Sequence, residues 1–167
     1  TARKSDAANA KIIKKGIGMK IDVRNILTVL RSKRQGIAPE TIEDYVVSIH
    51  TEIEPEQLER TIHSEDLEDA VVSIEGSAYG DGVSDALSGS NSQSLLEIEK
   101  NLKETLLKKL RKLSIQHYPG AGPITAFVQE KEVEVNNLIT IINGKAENLE
   151  NEEISELIIT PETGGQK

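Results

Sequence analysis

Three histidines, His50, His63 and His117, are the side chains best suited to acid–base or metal chemistry near neutral pH. No two of them stand three or four residues apart, as a metal-binding pair on one helix face would. His63 is followed by Glu65, Asp66, Glu68 and Asp69, so one reading places an acid–base or metal site there. The competing reading is an acidic first helical turn, which the macrodipole alone favours. His117, beside Tyr118, reads as a helix terminus, where positive charge is also welcome. Cysteine is absent, which removes thiolate ligands, thiol nucleophiles and disulfides. The chain has no G-x-x-x-x-G-K-[ST] phosphate loop, no G-x-G-x-x-G, no H-E-x-x-H and no Ca²⁺-loop spacing. Gly76-Ser77-Ala78-Tyr79-Gly80 sets its serine one place too early for a G-x-S-x-G nucleophile elbow. These residues predict a non-enzymatic chain with no cofactor, no metal and no small-molecule substrate.

Charge points to protein contacts instead. The net charge of −8 opposes nucleic-acid binding, which needs clustered Lys and Arg to neutralise phosphates. Aromatic residues make up 2% of the chain, too few for base-stacking platforms. Lys103, Lys108, Lys109 and Arg111 nevertheless cluster in one segment, either as a solvated helix face or as a contact for a partner. Asn25 and Asn137 stand inside apolar helical segments, where Asn is a poor choice. Such an amide either satisfies a neighbouring backbone end and fixes packing, or makes an interface contact. Lys33 and Lys145 fall near helix C-termini, where cations are favoured whatever the function.

The elements that carry these residues are helical. From Ala7 to about Arg34 there is no proline, and Ile12, Ile13, Ile17, Ile21, Ile26, Leu27 and Leu30 recur at three- and four-residue spacings, predicting one long helix weakened at Gly16 and Gly18. Gly36 supplies a left-handed stop, and Pro39 and Pro55 each open a short helix. Residues 64–72 read as a further short acidic helix, and the glycines and serines from Gly76 to Ser94 as the least ordered stretch. Ser94 and Glu97 have capping-box spacing. After them Leu95, Ile98, Leu102, Leu106, Leu110 and Leu113 keep helical period. Pro123 opens a last long helix to about Ala146, and residues 151–159 make a short one. No stretch reaches the roughly 18 apolar residues of a spanning helix, so a soluble, cytoplasmic, all-α protein is expected.

Shifting the sequence by 112 residues lays Ile21–Val47 on Val133–Ile159 without a gap. Val23, Asn25, Thr28, Lys33, Glu40 and Ile42 then coincide with Val135, Asn137, Thr140, Lys145, Glu152 and Ile154. The pattern predicts two related modules, at about 10–48 and 122–159, joined by 49–121 within a single unit spanning 1–167. The apolar doublets Ile26-Leu27 and Val29-Leu30, matched by Leu138-Ile139 and Ile141-Ile142, predict long helices packed on two sides.

These modules resemble the C subunit of the archaeal-type (A/V-type) ATP synthase, a family related to the d subunit of the vacuolar ATPase. The resemblance rests on the proline-initiated helix at Pro123, on Lys131-Glu132-Val133-Glu134-Val135-Asn136-Asn137-Leu138, on Gly144-Lys145-Ala146 and on Glu152-Glu153-Ile154. Glu75-Gly76-Ser77-Ala78-Tyr79-Gly80 looks like the family's glycine-tyrosine-glycine turn. The family implies three helical lobes arranged as a funnel around a pseudo-threefold axis, of which the N-terminal lobe would be missing here.

It also implies a mechanical role. The funnel sits on the membrane proteolipid ring, on the cytoplasmic side of the membrane, and receives the central shaft of subunits D and F. A rotor connector of this kind, serving proton- or sodium-driven ATP synthesis, is therefore the expected function. A generic helical-repeat adaptor is the alternative, although solenoid units recur every roughly 20 to 50 residues, unlike the long shift seen here.

Overall fold

The computed structural model describes residues 2–87 and 95–160. Among them the elements are α1 (Ala2–Arg34), α2 (Pro39–Tyr45), α3 (Pro55–Ile62), α4 (Leu67–Glu75), α5 (Asp81–Leu87), α6 (Leu95–Gln116), α7 (Gly122–Ala146) and α8 (Asn151–Leu157), with no strand among the described residues. The all-α class expected from the sequence is what the chain adopts.

Three long helices form the frame. The carboxylate of Glu99, early in α6, pairs with Arg31 near the end of α1, while a Cβ at Gly16 would meet Leu110 near the end of α6, so the two run antiparallel. Arg111 of α6 likewise reaches Glu130 in the first half of α7. α7 instead runs parallel to α1, because Asn9 reaches Ala121 and Lys20 reaches Glu132. α3 and α4 pack on each other and against α1, and α5 bridges α4 to α6.

Period explains the core. The leucine stripe of α6 buries Ile98, Leu102, Leu106, Leu110 and Leu113, the positions that recur at helical spacing. α1 buries Ile26, Val29 and Leu30 completely. α1 is the one long helix expected, continuous through Gly16 and Gly18; Gly18 lets the chain at Thr51 approach so closely that an added Cβ would lie 1.9 Å from the Thr51 hydroxyl oxygen. One expectation needs correcting. The stretch after Gly76 is not structureless within its described part: Tyr79 and Val83 are fully buried, and α5 occupies Asp81–Leu87. There the glycines serve close packing, since a Cβ at Gly82 would stand 2.8 Å from the Thr105 hydroxyl on α6. Ser94 of the expected capping box lies outside the described residues.

The two aligned segments end in the same way. α1 stops at Arg34 and α7 at Ala146; the following residues in left-handed backbone are Gly36 at φ 68° and Asn148 at φ 60°. Ile37 N–H donates to Ser32 at 3.0 Å, and Leu149 N–H to Gly144 at 2.9 Å, the closure expected of a Schellman-type stop. Each stop is followed by a seven-residue helix, α2 or α8, that buries one isoleucine, Ile42 or Ile154.

Candidate interaction surface

Asn25 uses its whole amide on one residue. Its Nδ2 donates to the Val47 carbonyl at 2.8 Å, and its Oδ1 accepts from the Val47 N–H at 2.9 Å. Asn137 makes the same pair with Ile159, at 2.8 and 2.9 Å. Each asparagine therefore clasps the extended exit of the short helix onto its long helix through both of the amide's polar atoms. Lys33 Nζ donates to the carbonyl of Ser64, between α3 and α4, at 2.6 Å. Lys145 stands in the last turn of α7.

Three residues before Asn25, Asp22 is also fully buried. Its carboxylate accepts from the N–H groups of Thr51 and Glu52 at 3.1 and 2.8 Å, and from the Tyr79 hydroxyl at 3.0 Å. Burial raises the Tyr79 phenol far above its ordinary value, and the Asp22 charge with its hydrogen bond raises it further, so the hydroxyl stays a donor. Sequence reasoning missed this lock; its only trace was an acidic residue set among the apolar positions of α1.

The basic run of α6 is divided among separate tasks. Lys103 pairs with Glu99 at 2.6 Å, four residues back on its own helix. Lys109 pairs with Glu52 at 2.8 Å, and Lys15 of α1 joins the same carboxylate at 3.2 Å. Arg111 ties α6 to α7 through Glu130 at 2.8 Å. Lys108 and Lys112 are exposed and line a groove with Asp81 and Glu104. Burial pushes Glu52 up, but Lys109 and Lys15 outweigh it and hold the carboxyl below its usual value; Glu99 is likewise raised by burial and lowered, on balance, by Lys103 and Arg31.

The histidines do not converge. His63 ends α3 and pairs with Glu43 of α2 at 2.9 Å, while Asp66 caps α4 by accepting from the Asp69 N–H. His117 is exposed beyond the end of α6. Among the described residues no group of His, Cys, Asp and Glu could hold a metal ion, and no helix is long and apolar enough to cross a membrane.

The largest group of exposed apolar side chains among the described residues lies on α7, where Ile124, Phe127, Val128, Val135, Leu138 and Ile142 are all open. The doublets of α7 therefore differ from those of α1, which are buried as expected. The reason is coverage: α1 has α2, α3, α4, α6 and α7 around it, whereas α7 packs mainly against α1, α6 and α8 among the described elements.

Comparison with known proteins gives these surfaces a context. The family model for the ATP synthase (C/AC39) subunit matches residues 1–157. The A-type ATP synthase C subunit of Methanocaldococcus jannaschii is 33% identical over 150 residues, covering 89% of this chain and 38% of the relative. That of Methanothermobacter thermautotrophicus is 34% identical over 140 residues, 83% of this chain and 36% of the relative. The chain thus spans about two fifths of the length of the curated relatives it matches. No solved structure matches it.

Proposed function

The chain belongs to the ATP synthase (C/AC39) subunit family, and on that premise we propose that it is a helical part of a non-catalytic rotor connector, coupling the central shaft to the membrane ring. The observation that carries the reading is the family match, which runs over residues 1–157. The partners are shaft subunits D and F on one side and the proteolipid ring on the other, at the cytoplasmic face of the membrane.

The physical properties of the helices support it. A body that transmits torque must resist internal shear, and single helix contacts slide easily unless side chains fix their register. Here α1, α6 and α7 are cross-tied by Arg31–Glu99, Arg111–Glu130 and Lys20–Glu132, and Glu52 binds α1 and α6 together through Lys15 and Lys109. Asn25 and Asn137 pin the exits of α2 and α8. The exposed Lys108 and Lys112 are the part of the basic run facing solvent, and they suit an acidic helical partner.

The test is size-exclusion chromatography with light scattering on the full-length protein mixed with purified D–F shaft, at low and high salt. A defined complex that weakens with salt, and weakens further with Lys108→Glu and Lys112→Glu together, is the expected result. Absence of a complex with both the shaft and the proteolipid ring would overturn the reading in favour of a general helical adaptor.

A further inference from the structure

The chain leaving α2 is an apolar ledge that the fold holds open. It is fastened to α1 at two points: the Asn25 amide bonds both the N–H and the carbonyl of Val47, and the Asp22 carboxylate accepts from the N–H groups of Thr51 and Glu52. Between them the Ile49 N–H turns back onto the Val47 carbonyl at 2.7 Å. On this fixed backbone Tyr45, Val47 and Ile49 are 60%, 39% and 47% exposed. A loose loop could turn such side chains inward; here two buried polar residues set the backbone, so the ledge is presented already ordered, and a partner need not supply the ordering entropy.

The counterparts 112 residues later are not open in this way. Tyr45 and Val47 correspond to Leu157 and Ile159, of which Leu157 is half-buried and Ile159 is 5% exposed. There the start of α6 stands opposite. Lys100 Nζ donates at 2.9 Å to the carbonyl of Glu156, the counterpart of Asp44, and Leu96, Lys100 and Lys103 line one groove with Leu157 and Ile159. Those three residues are spaced by four and three, so they share a helix face. The second module thus shows what faces such an exit: the leucine-and-lysine side of an amphipathic helix.

Charge points to the same chemistry at the first module. From Pro39 to Glu75, across α2–α4, twelve Asp and Glu stand against one Arg, a formal −11, although the whole chain carries −8. Glu40, Glu43 and Asp44 precede the ledge, Glu54 and Glu56 follow it, and all five are exposed. A small apolar centre within a charged rim is the anatomy of a contact between separate chains rather than of a core. We propose that the ledge from Tyr45 to Ile49 docks a basic amphipathic helix of another subunit, its apolar face on Tyr45, Val47 and Ile49 and its Lys or Arg side chains toward the acidic rim. The inference goes beyond the rotor reading: it gives the protein a second contact face, opposite in sign to the exposed lysines of α6, whichever subunit supplies the helix.

The test places a benzophenone amino acid at Tyr45 or at Ile49 of the full-length protein, one at a time, and irradiates the purified assembled ATP synthase. The expected product joins each position to a Lys- or Arg-rich helical segment of a different subunit, identified by mass spectrometry of the cross-linked peptide. Asp44→Lys with Glu54→Lys, both at exposed positions, should lower the yield at least about fivefold, and raising the salt concentration should lower it with the native rim. Circular dichroism of that variant should show its helices intact, so that the loss reads as a loss of contact. Hydroxyl-radical footprinting without any substitution should show Tyr45 and Ile49 protected in the assembled enzyme relative to the isolated protein. Absence of the cross-link, or footprints at both positions unchanged on assembly, would overturn the inference. So would a product within the same chain, a product with an acidic segment, or a yield indifferent to the two charge reversals.

Discussion

At Asn25 a single amide satisfies both the N–H and the carbonyl of Val47 in an almost fully buried setting. Replacing Asn25 by Ala leaves the Val47 N–H unpartnered and its carbonyl with the Ile49 N–H alone, at an expected cost of about 1–3 kcal/mol. Asn25→Asp should also destabilise near neutral pH, because a carboxylate cannot donate to the carbonyl. Both are measured by urea unfolding of the full-length protein. The polar identity of this position was legible, because Asn is costly inside an apolar helix and recurs at Asn137. Its partner was not, since Val47 lies 22 residues away and offers only backbone. Glu52 and Glu99 set a pH dependence. Both carboxyls sit below their ordinary value of 4.5 in the folded chain, so their stabilising effect is present above that value and is lost as pH falls through the lower, folded one. The melting temperature should decline on acidification below about pH 4.5, and Glu52→Gln with Glu99→Gln should lower it at pH 7 and flatten that acid decline.

Gly18 shows how an element can be read correctly while the reason for a residue in it is missed. Alanine is the better helix former by about 1 kcal/mol, so Gly18→Ala would stabilise α1 if the glycine were only a weak point. An added Cβ, however, would lie 1.9 Å from the Thr51 hydroxyl oxygen and 2.9 Å from the Thr51 Cβ. The substitution should therefore destabilise by about 1–3 kcal/mol, as overpacking does. Thr51→Ala should recover part of that loss, a coupling readable from a double-mutant cycle. The helices themselves were legible wherever period, proline and glycine stops agreed, as in α6, α7 and the stop of α1 at Gly36. α5 was not, because Gly80 and Gly82 read locally as flexibility while Tyr79 and Val83 anchor the segment through contacts distant in sequence.

Taken as one body, the described residues have a well-covered side around α1 and an open side along α7. Apolar doublets in both helices made two-sided packing legible for each, but a sequence cannot say which cover is supplied within these residues. The family match and the ion pairs that tie α1, α6 and α7 together are the observations behind the proposal that this part passes rotation from one neighbour to another. The most direct test uses the assembled enzyme in lipid vesicles, prepared with and without the full-length protein, with ATP hydrolysis and ATP-driven ion pumping measured on the same sample. Without the connector, hydrolysis should continue while pumping is lost, and adding it back should restore pumping. Pumping that persists undiminished in its absence, or hydrolysis that stops with it, would contradict a non-catalytic connector.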